Sequence, residues 1–409
     1  MVESLRVFII PSWYPSRYAP VAGIFIKDQV LGIGELRPKW KLAISLWGQG
    51  EFNLVLRNPR KWFQILIDYA RSETRTKQIL RENVVEYKKP VLHTSERVLG
   101  GNRVGILRAN RVNLENSIRD LGGIDLIHAH VSYPGGWIAM LLSEETGIPY
   151  IITEHMSPFP FPRFLNADRS LKNIIREPLE KANAIVAVSP SQTEEIVRFG
   201  IKKPTLVPNM VNEQVFRPPS KNINKEKFVF FTLAGMIPQK GIPDLLHAIS
   251  IFEKSLAVGD QDKVIFHFGG TGFEQQKYKA LAKKLNLDSW VTWLGYMSQE
   301  QVVERFQNCD CFVLPSRHES FSIVCVQAIA CGKPIIATRC GGPEYIVTPE
   351  NGLLVEVANP EEMANALYQM FKMRNIYDPK VIREQFMARF SRPVVLDSLE
   401  VVYQKAIHA

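Results

Sequence analysis

Short apolar runs of strand length recur through this chain, each followed by a stretch of helical spacing. They fall at 7–10, 42–46, 126–130, 150–153, 185–188 and 205–209. After a break they resume at 228–232, 264–268, 291–294, 311–314 and 334–338. Strands that alternate with helices build parallel sheets covered on both faces, because each crossover helix must bury its apolar stripe on the sheet. The break is the polar segment 218–225, which holds two prolines and no periodic pattern. A length of 409 residues also favours two domains. The chain therefore reads as α/β, with two doubly wound domains, 1–212 and 213–390, facing across a cleft. Ligands of such sheets bind outside the carboxyl ends of the strands, so the residues just after each strand carry the functional reading.

The richest of these loops follows 311–314. Pro315 and Ser316 end the run, Arg317-His318-Glu319-Ser320-Phe321 form a polar loop, and a helix is predicted from near Ser322. A strand, a tight loop and a helix start together make a phosphate site, since unpaired backbone N–H groups and the positive dipole end point the same way. At about 1.5 Å and 100° per residue, Glu319 and Gln327 fall on one side of this helix, roughly 10 Å apart. A nucleoside diphosphate sugar is long enough to touch both, with its phosphates at the helix start.

Other post-strand residues admit two readings each. Gly23 precedes a helix and allows close approach to a phosphate or sugar, or is a plain turn. His130 and His155 end strands; each is a hydrogen-bond partner or acid/base for a substrate hydroxyl, or a structural histidine bonded to backbone. Lys240, ahead of Gly241, reaches a phosphate as a point charge or is a surface lysine. The glycines 269, 270 and 272 lack the spacing of a dinucleotide fingerprint. Asp260 and Asp262 form a D-x-D triplet in a polar segment away from the strand ends, read as a solvated loop.

The net charge of +9 favours an anionic partner without choosing one. Nine Lys/Arg stand against four Asp/Glu in 57–89, and Trp62, Leu66, Tyr69 and Ala70 follow a helical period there. That stretch is either a basic amphipathic helix for an anionic membrane surface or a solvated helix on its own domain. The basic residues match no nucleic-acid-binding module, so no nucleic-acid partner is expected. The five cysteines lie between 309 and 340. Their odd number and lack of a C-x-x-C pair point to buried reduced thiols rather than a disulfide framework or metal site. There is no run of 18 apolar residues and no signal-peptide pattern, so a cytoplasmic protein is expected, at most at the inner face of the membrane.

In order along nearly the whole chain, these segments resemble glycosyltransferase family 4, the retaining group of the GT-B fold with two Rossmann-like domains. The resemblance rests on the Gly23 loop, His130, Thr153-Glu154-His155, Pro208-Asn209, Lys240-Gly241, Gly269 and Gly272, Leu294-Gly295, Pro315-Ser316 with Glu319, Gly341-Gly342 with Glu344, and Asn351-Gly352. It implies that 391–409 is a helical return to the N-terminal, acceptor-side domain. It implies sugar transfer from a UDP- or GDP-sugar to a glycan or lipid-linked acceptor, in cell-surface polysaccharide synthesis, without a cofactor or metal. His155, Lys240 and Glu319 would act at the reacting sugar. Gly23, Met236, Gly272, Gly295, Ser322, Ile323 and Gln327 would bind the donor, and His130 would lie on the acceptor side.

Two positions depart from the family pattern. Met236 stands where it has arginine and offers a phosphate nothing; Arg317 or Arg339 is the candidate to compensate. Gln327 stands where it has glutamate, and an amide still bonds a ribose diol. These departures keep two alternatives open: a non-catalytic partner subunit with a degraded donor site, and an epimerase of nucleotide sugars.

Overall fold

The computed structural model describes residues 4–17, 19–49, 51–54, 60–72, 76–94, 99–220, 225–373 and 376–408. Part of the expected linker (221–224) and parts of the basic stretch (57–59 and 73–75) lie outside them. The chain divides into two compact units. One comprises 1–188, 193–210 and 395–409; the other comprises 189–192 and 211–394. These bounds stand a few residues from the expected 212/213 and 390/391.

The first unit holds an eight-stranded sheet. Its order is Thr205–Leu206, Ala184–Ala187, Tyr150–Thr153, Leu126–His130, Arg6–Pro11, Lys41–Leu46, Val84–Lys88 and Thr76–Arg81. All pairs are parallel except the last, which is antiparallel. Side chains alternate between the faces. Phe8, Ile10, Ile127 and Ile152 enter one buried cluster, and Val7, Ile9, Leu126 and Ile151 enter the other. Burial of both faces is why these strands read as unbroken apolar runs. The helix Arg392–Ile407 covers the second face, with Tyr403 against Trp40 at 5.9 Å and Arg37 paired to Asp397 and Glu400.

The second unit holds six parallel strands in the order Val291–Gly295, Val264–Gly269, Phe228–Leu233, Cys311–Leu314, Ile335–Thr338 and Gly352–Val355. Phe230 stacks on Phe266 at 4.8 Å, and Phe231 meets Phe306 at 5.3 Å. Each unit is thus a Rossmann-like α/β fold on a parallel or largely parallel sheet.

The stretch 57–89 is not one helix. The helix Arg60–Arg71 is followed by the strands Thr76–Arg81 and Val84–Lys88. Much of its charge is locally matched: Lys77 to Asp120 at 2.7 Å, Lys88 to Glu51 at 2.6 Å and Arg81 to Glu35 at 3.8 Å. Asp260 pairs with Lys372 and Lys263, as a solvated loop requires. All five cysteines are buried free thiols. Among the described residues no helix is long and apolar enough to cross a membrane, and no cluster of acids, histidines and cysteines is arranged to hold a metal.

Candidate functional site

In the second unit, two loops leave the carboxyl ends of neighbouring strands, Phe228–Leu233 and Cys311–Leu314. Adjacency in a parallel sheet brings their loops together. Lys240 ends a short 3-10 turn in the first loop, and its Nζ lies 2.6 Å from Glu319 Oε1 in the second. Ser316 Oγ donates to the same oxygen at 2.6 Å. Glu319 Oε2 has no protein partner among the described residues. The Glu319 backbone is fixed from the other side: its N–H donates to Cys340 O at 3.0 Å, and its carbonyl accepts from Gly342 N at 2.7 Å. Both side chains are partly shielded, at 23% and 11% exposure for Lys240 and Glu319, so their attraction is screened less than that of a surface pair.

The helix predicted from near Ser322 runs Ile323–Ala330. Ser322 caps it with φ 78, a left-handed value rare outside glycine, and its hydroxyl turns to Cys325 Sγ rather than to the backbone. The first-turn amides thus have no side-chain cap, the condition for an anion at a helix start. Ile323 and Gln327 are both half-buried on this helix.

Met236 is a correction. Its side chain is fully buried in the core cluster of this unit. Only its backbone serves the loops, bonding Thr271 O through N and Glu274 N through O. An apolar side chain gains by burial what it could not gain beside a phosphate. Neither candidate replacement is unpaired: Arg317 is bidentate to Asp244 at 3.0 Å, and Arg339 pairs with Glu356 at 3.3 Å. Gly272 is needed for loop packing, since a Cβ there would meet Met236 O at 2.4 Å. Gly295 has φ 70 and open space around its Cβ position.

Gly241 locks the two key loops together. Its φ is +61, and a Cβ would lie 1.9 Å from the Pro315 carbonyl oxygen. Gly241→Ala is therefore expected to destabilise this unit by about 2–4 kcal/mol, combining left-handed strain with a backbone clash. Calorimetric melting measures this, and an unchanged transition would show that the loops adjust freely.

In the first unit, His128 and His130 share one face of the strand Leu126–His130. His128 bridges Tyr403 Oη and Thr153 Oγ1, each at 2.7 Å. His130 Nδ1 lies 3.0 Å from His155 Nε2, with the rings stacked at 13°, and His130 Nε2 is buried without a partner among the described residues. Burial lowers the pKa of His155 and takes that of His130 down to about 3, so both rings are neutral at neutral pH. Glu154 is a structural carboxylate, accepting from the backbone N–H groups of Ser132, His155 and Met156 at 2.8–3.0 Å. Burial raises its pKa against those bonds. Val131 stands at φ 73, an unfavourable value for a β-branched residue, between His130 and Ser132. Gly23 has φ 63 where a Cβ would lie 2.2 Å from Trp13 O, and it opens the helix Ile24–Leu36, whose Phe25 meets His155 edge-on at 4.8 Å.

The structure thus joins Lys240 to Glu319 and His130 to His155, and moves Met236 into the core. It adds Ser316, Glu154 and His128, none of which the sequence reading assigned. The i, i+2 spacing of His128 and His130 was the available signal for the last.

Two family models match adjacent stretches: "Glycosyltransferase Family 4" over residues 73–215 and "Glycosyl transferases group 1" over 214–384. An uncharacterized glycosyltransferase of Methanocaldococcus jannaschii is 27% identical over 78% of this chain and 86% of its own. A putative teichuronic acid biosynthesis glycosyltransferase of Bacillus subtilis is 24% identical over 98% of both. Among solved structures, the sucrose-phosphate synthase of Thermosynechococcus elongatus superposes with TM-score 0.74 at 18% identity, covering 98% of each chain.

Proposed function

We propose that this chain, a glycosyltransferase of the GT-B fold, is a retaining enzyme of family 4. It moves a hexosyl or N-acetylhexosaminyl group from a UDP- or GDP-sugar to a glycan or lipid-linked glycan. The observation that carries this reading is Lys240 held 2.6 Å from Glu319, in the loop that leads into the uncapped start of the helix Ile323–Ala330. Departure of a nucleoside diphosphate builds negative charge, and a fixed cation with oriented amides meets that charge without reorganisation. On this reading no metal is needed. Glu319 Oε2 accepts from a donor-sugar hydroxyl, the Ser322 and Ile323 amides hold phosphate, and Gln327 bonds the ribose. In the first unit, the neutral His155, backed by His130, is the residue we assign to a sugar hydroxyl.

The name of the Bacillus subtilis relative supports a role in cell-surface polysaccharide synthesis. The helix Arg60–Arg71 is the segment we assign to the inner membrane face, with Phe63 at 75% and Leu66 at 43% exposure. The burial of Met236 favours a second reading, a partner subunit that has lost donor binding. Calorimetry with UDP and GDP decides between them: binding of one nucleotide is expected, and binding of neither would leave the second reading. Release of nucleoside diphosphate only when acceptor is present distinguishes transfer from epimerisation.

A further inference from the structure

Two buried histidines of the first unit are in direct contact, and their surroundings leave neither ring free to turn. His130 Nδ1 lies 3.0 Å from His155 Nε2, with the ring planes within 13° of each other. The His128 ring backs His130 at 4.3 Å and is itself held at both ends, by Tyr403 Oη and Thr153 Oγ1. Phe25 meets His155 edge-on at 4.8 Å. The Glu154 carboxylate ties the two backbones together: one oxygen accepts from Ser132 N, just past His130, and the other from His155 N. Val131, between His130 and Ser132, is held at φ 73, a strain that persists only where the surroundings enforce it.

Counting protons then decides which atom faces outward. Burial lowers the pKa of both rings, so each is neutral and carries one ring proton. One proton occupies the contact between Nδ1 and Nε2, and it belongs to one ring or the other. If it belonged to His155, the His130 proton would sit on Nε2, which is buried with no partner among the described residues. That arrangement orphans a buried N–H. If it belongs to His130, Nε2 is left as a bare acceptor, and orphaned buried N–H groups are the rarer of the two. His155 then keeps its own proton on Nδ1, a nitrogen with no protein partner among the described residues and not sealed within the core.

We propose that His130 is a positioning residue: it donates through Nδ1 to His155 Nε2 and so fixes His155 in the tautomer that presents Nδ1–H to a sugar oxygen. The role toward sugar rests on the assignment of His155 made above; the tautomer itself does not. His130 touches no substrate and acts only through its neighbour. An Nδ1 that already carries its proton cannot take one from an acceptor hydroxyl, so His155 orients a substrate oxygen and is not a general base.

Two readouts test this, one of them without substrate. In the full chain with histidine labelled at its ring nitrogens, long-range proton–nitrogen NMR separates protonated from bare ring nitrogens. His155→Phe identifies the His155 signals by their loss. A protonated Nδ1 and a bare Nε2 are expected for His155 in the native chain, and a mixture of both tautomers in His130→Leu. A proton on His155 Nε2 in the native chain would overturn the proposal. In steady-state transfer, His130→Leu is expected to lower kcat by about 10-fold or more while KM changes by less than about 3-fold. His130→Asn, whose amide still offers an N–H donor, should recover part of that loss. Equal losses in the two variants would reduce His130 to packing and overturn its positioning role. If His130→Leu does not fold, the native spectrum decides alone. Full transfer by His155→Phe would instead overturn the assignment of His155 to a sugar hydroxyl and leave the tautomer standing.

Discussion

Glu319→Ala is expected to lower kcat/KM for sugar transfer by about 10³-fold or more, the scale seen when a group aimed at the reacting centre is removed. The side chain holds one carboxylate oxygen against Lys240 and Ser316 and leaves the other without a protein partner. Alanine removes the acceptor for a substrate hydroxyl and frees Lys240 from its fixed position. The fold should survive. What anchors this residue to its neighbours is backbone, through Cys340 O and Gly342 N, and alanine keeps both bonds. Melting temperature should therefore change by only a few degrees, the scale of about 1 kcal/mol in a domain of this size. Glu319→Gln, which preserves shape and hydrogen bonding but not charge, should fall between the two. Full activity of Glu319→Ala with the true donor would sink the assignment.

The strands were legible where the sheet is covered twice. The strand Cys311–Leu314 and the strand Ile335–Thr338 are buried on both faces, so they appear as uninterrupted apolar runs bounded by turn residues. The strand Thr76–Arg81 was not legible. It is an edge strand with largely exposed side chains, and its polar TKQILR reads like the solvated run around it. Candidate site residues were legible because they follow strands, but their pairing was not. Lys240 and Glu319 meet because Phe230 stands opposite Cys311 in a parallel register, and nothing local to either loop encodes that register. Met236 shows the opposite limit. Aligning it with a ligand-binding arginine assumed that the side chain kept that direction, whereas an apolar side chain at this position turns into the core. Glu154, which sits between two residues of a functional-looking triplet, is spent on three backbone amides instead.

Lys240→Ala is expected to lower turnover by about 10²–10³-fold with a smaller change in KM, because the charge it meets develops mainly in the transition state. The ion pair leaves two routes to that loss. Lys240 either neutralises the departing diphosphate itself or only holds Glu319 in its working position. A double-mutant cycle separates them. If Lys240 acts only through Glu319, then Lys240→Ala adds nothing in a Glu319→Ala background, and the double variant matches the single one. If it meets the leaving group directly, the double variant is slower than Glu319→Ala alone. The second outcome is the one expected, because a lysine only 23% exposed at the mouth of this loop pair has three donors and commits one of them to Glu319. Lys240→Arg extends the argument: it keeps the charge but not the compact ammonium, so it should recover part of the leaving-group effect. Unchanged kinetics in Lys240→Ala would remove both routes, and with them the case that this loop pair is where the diphosphate leaves.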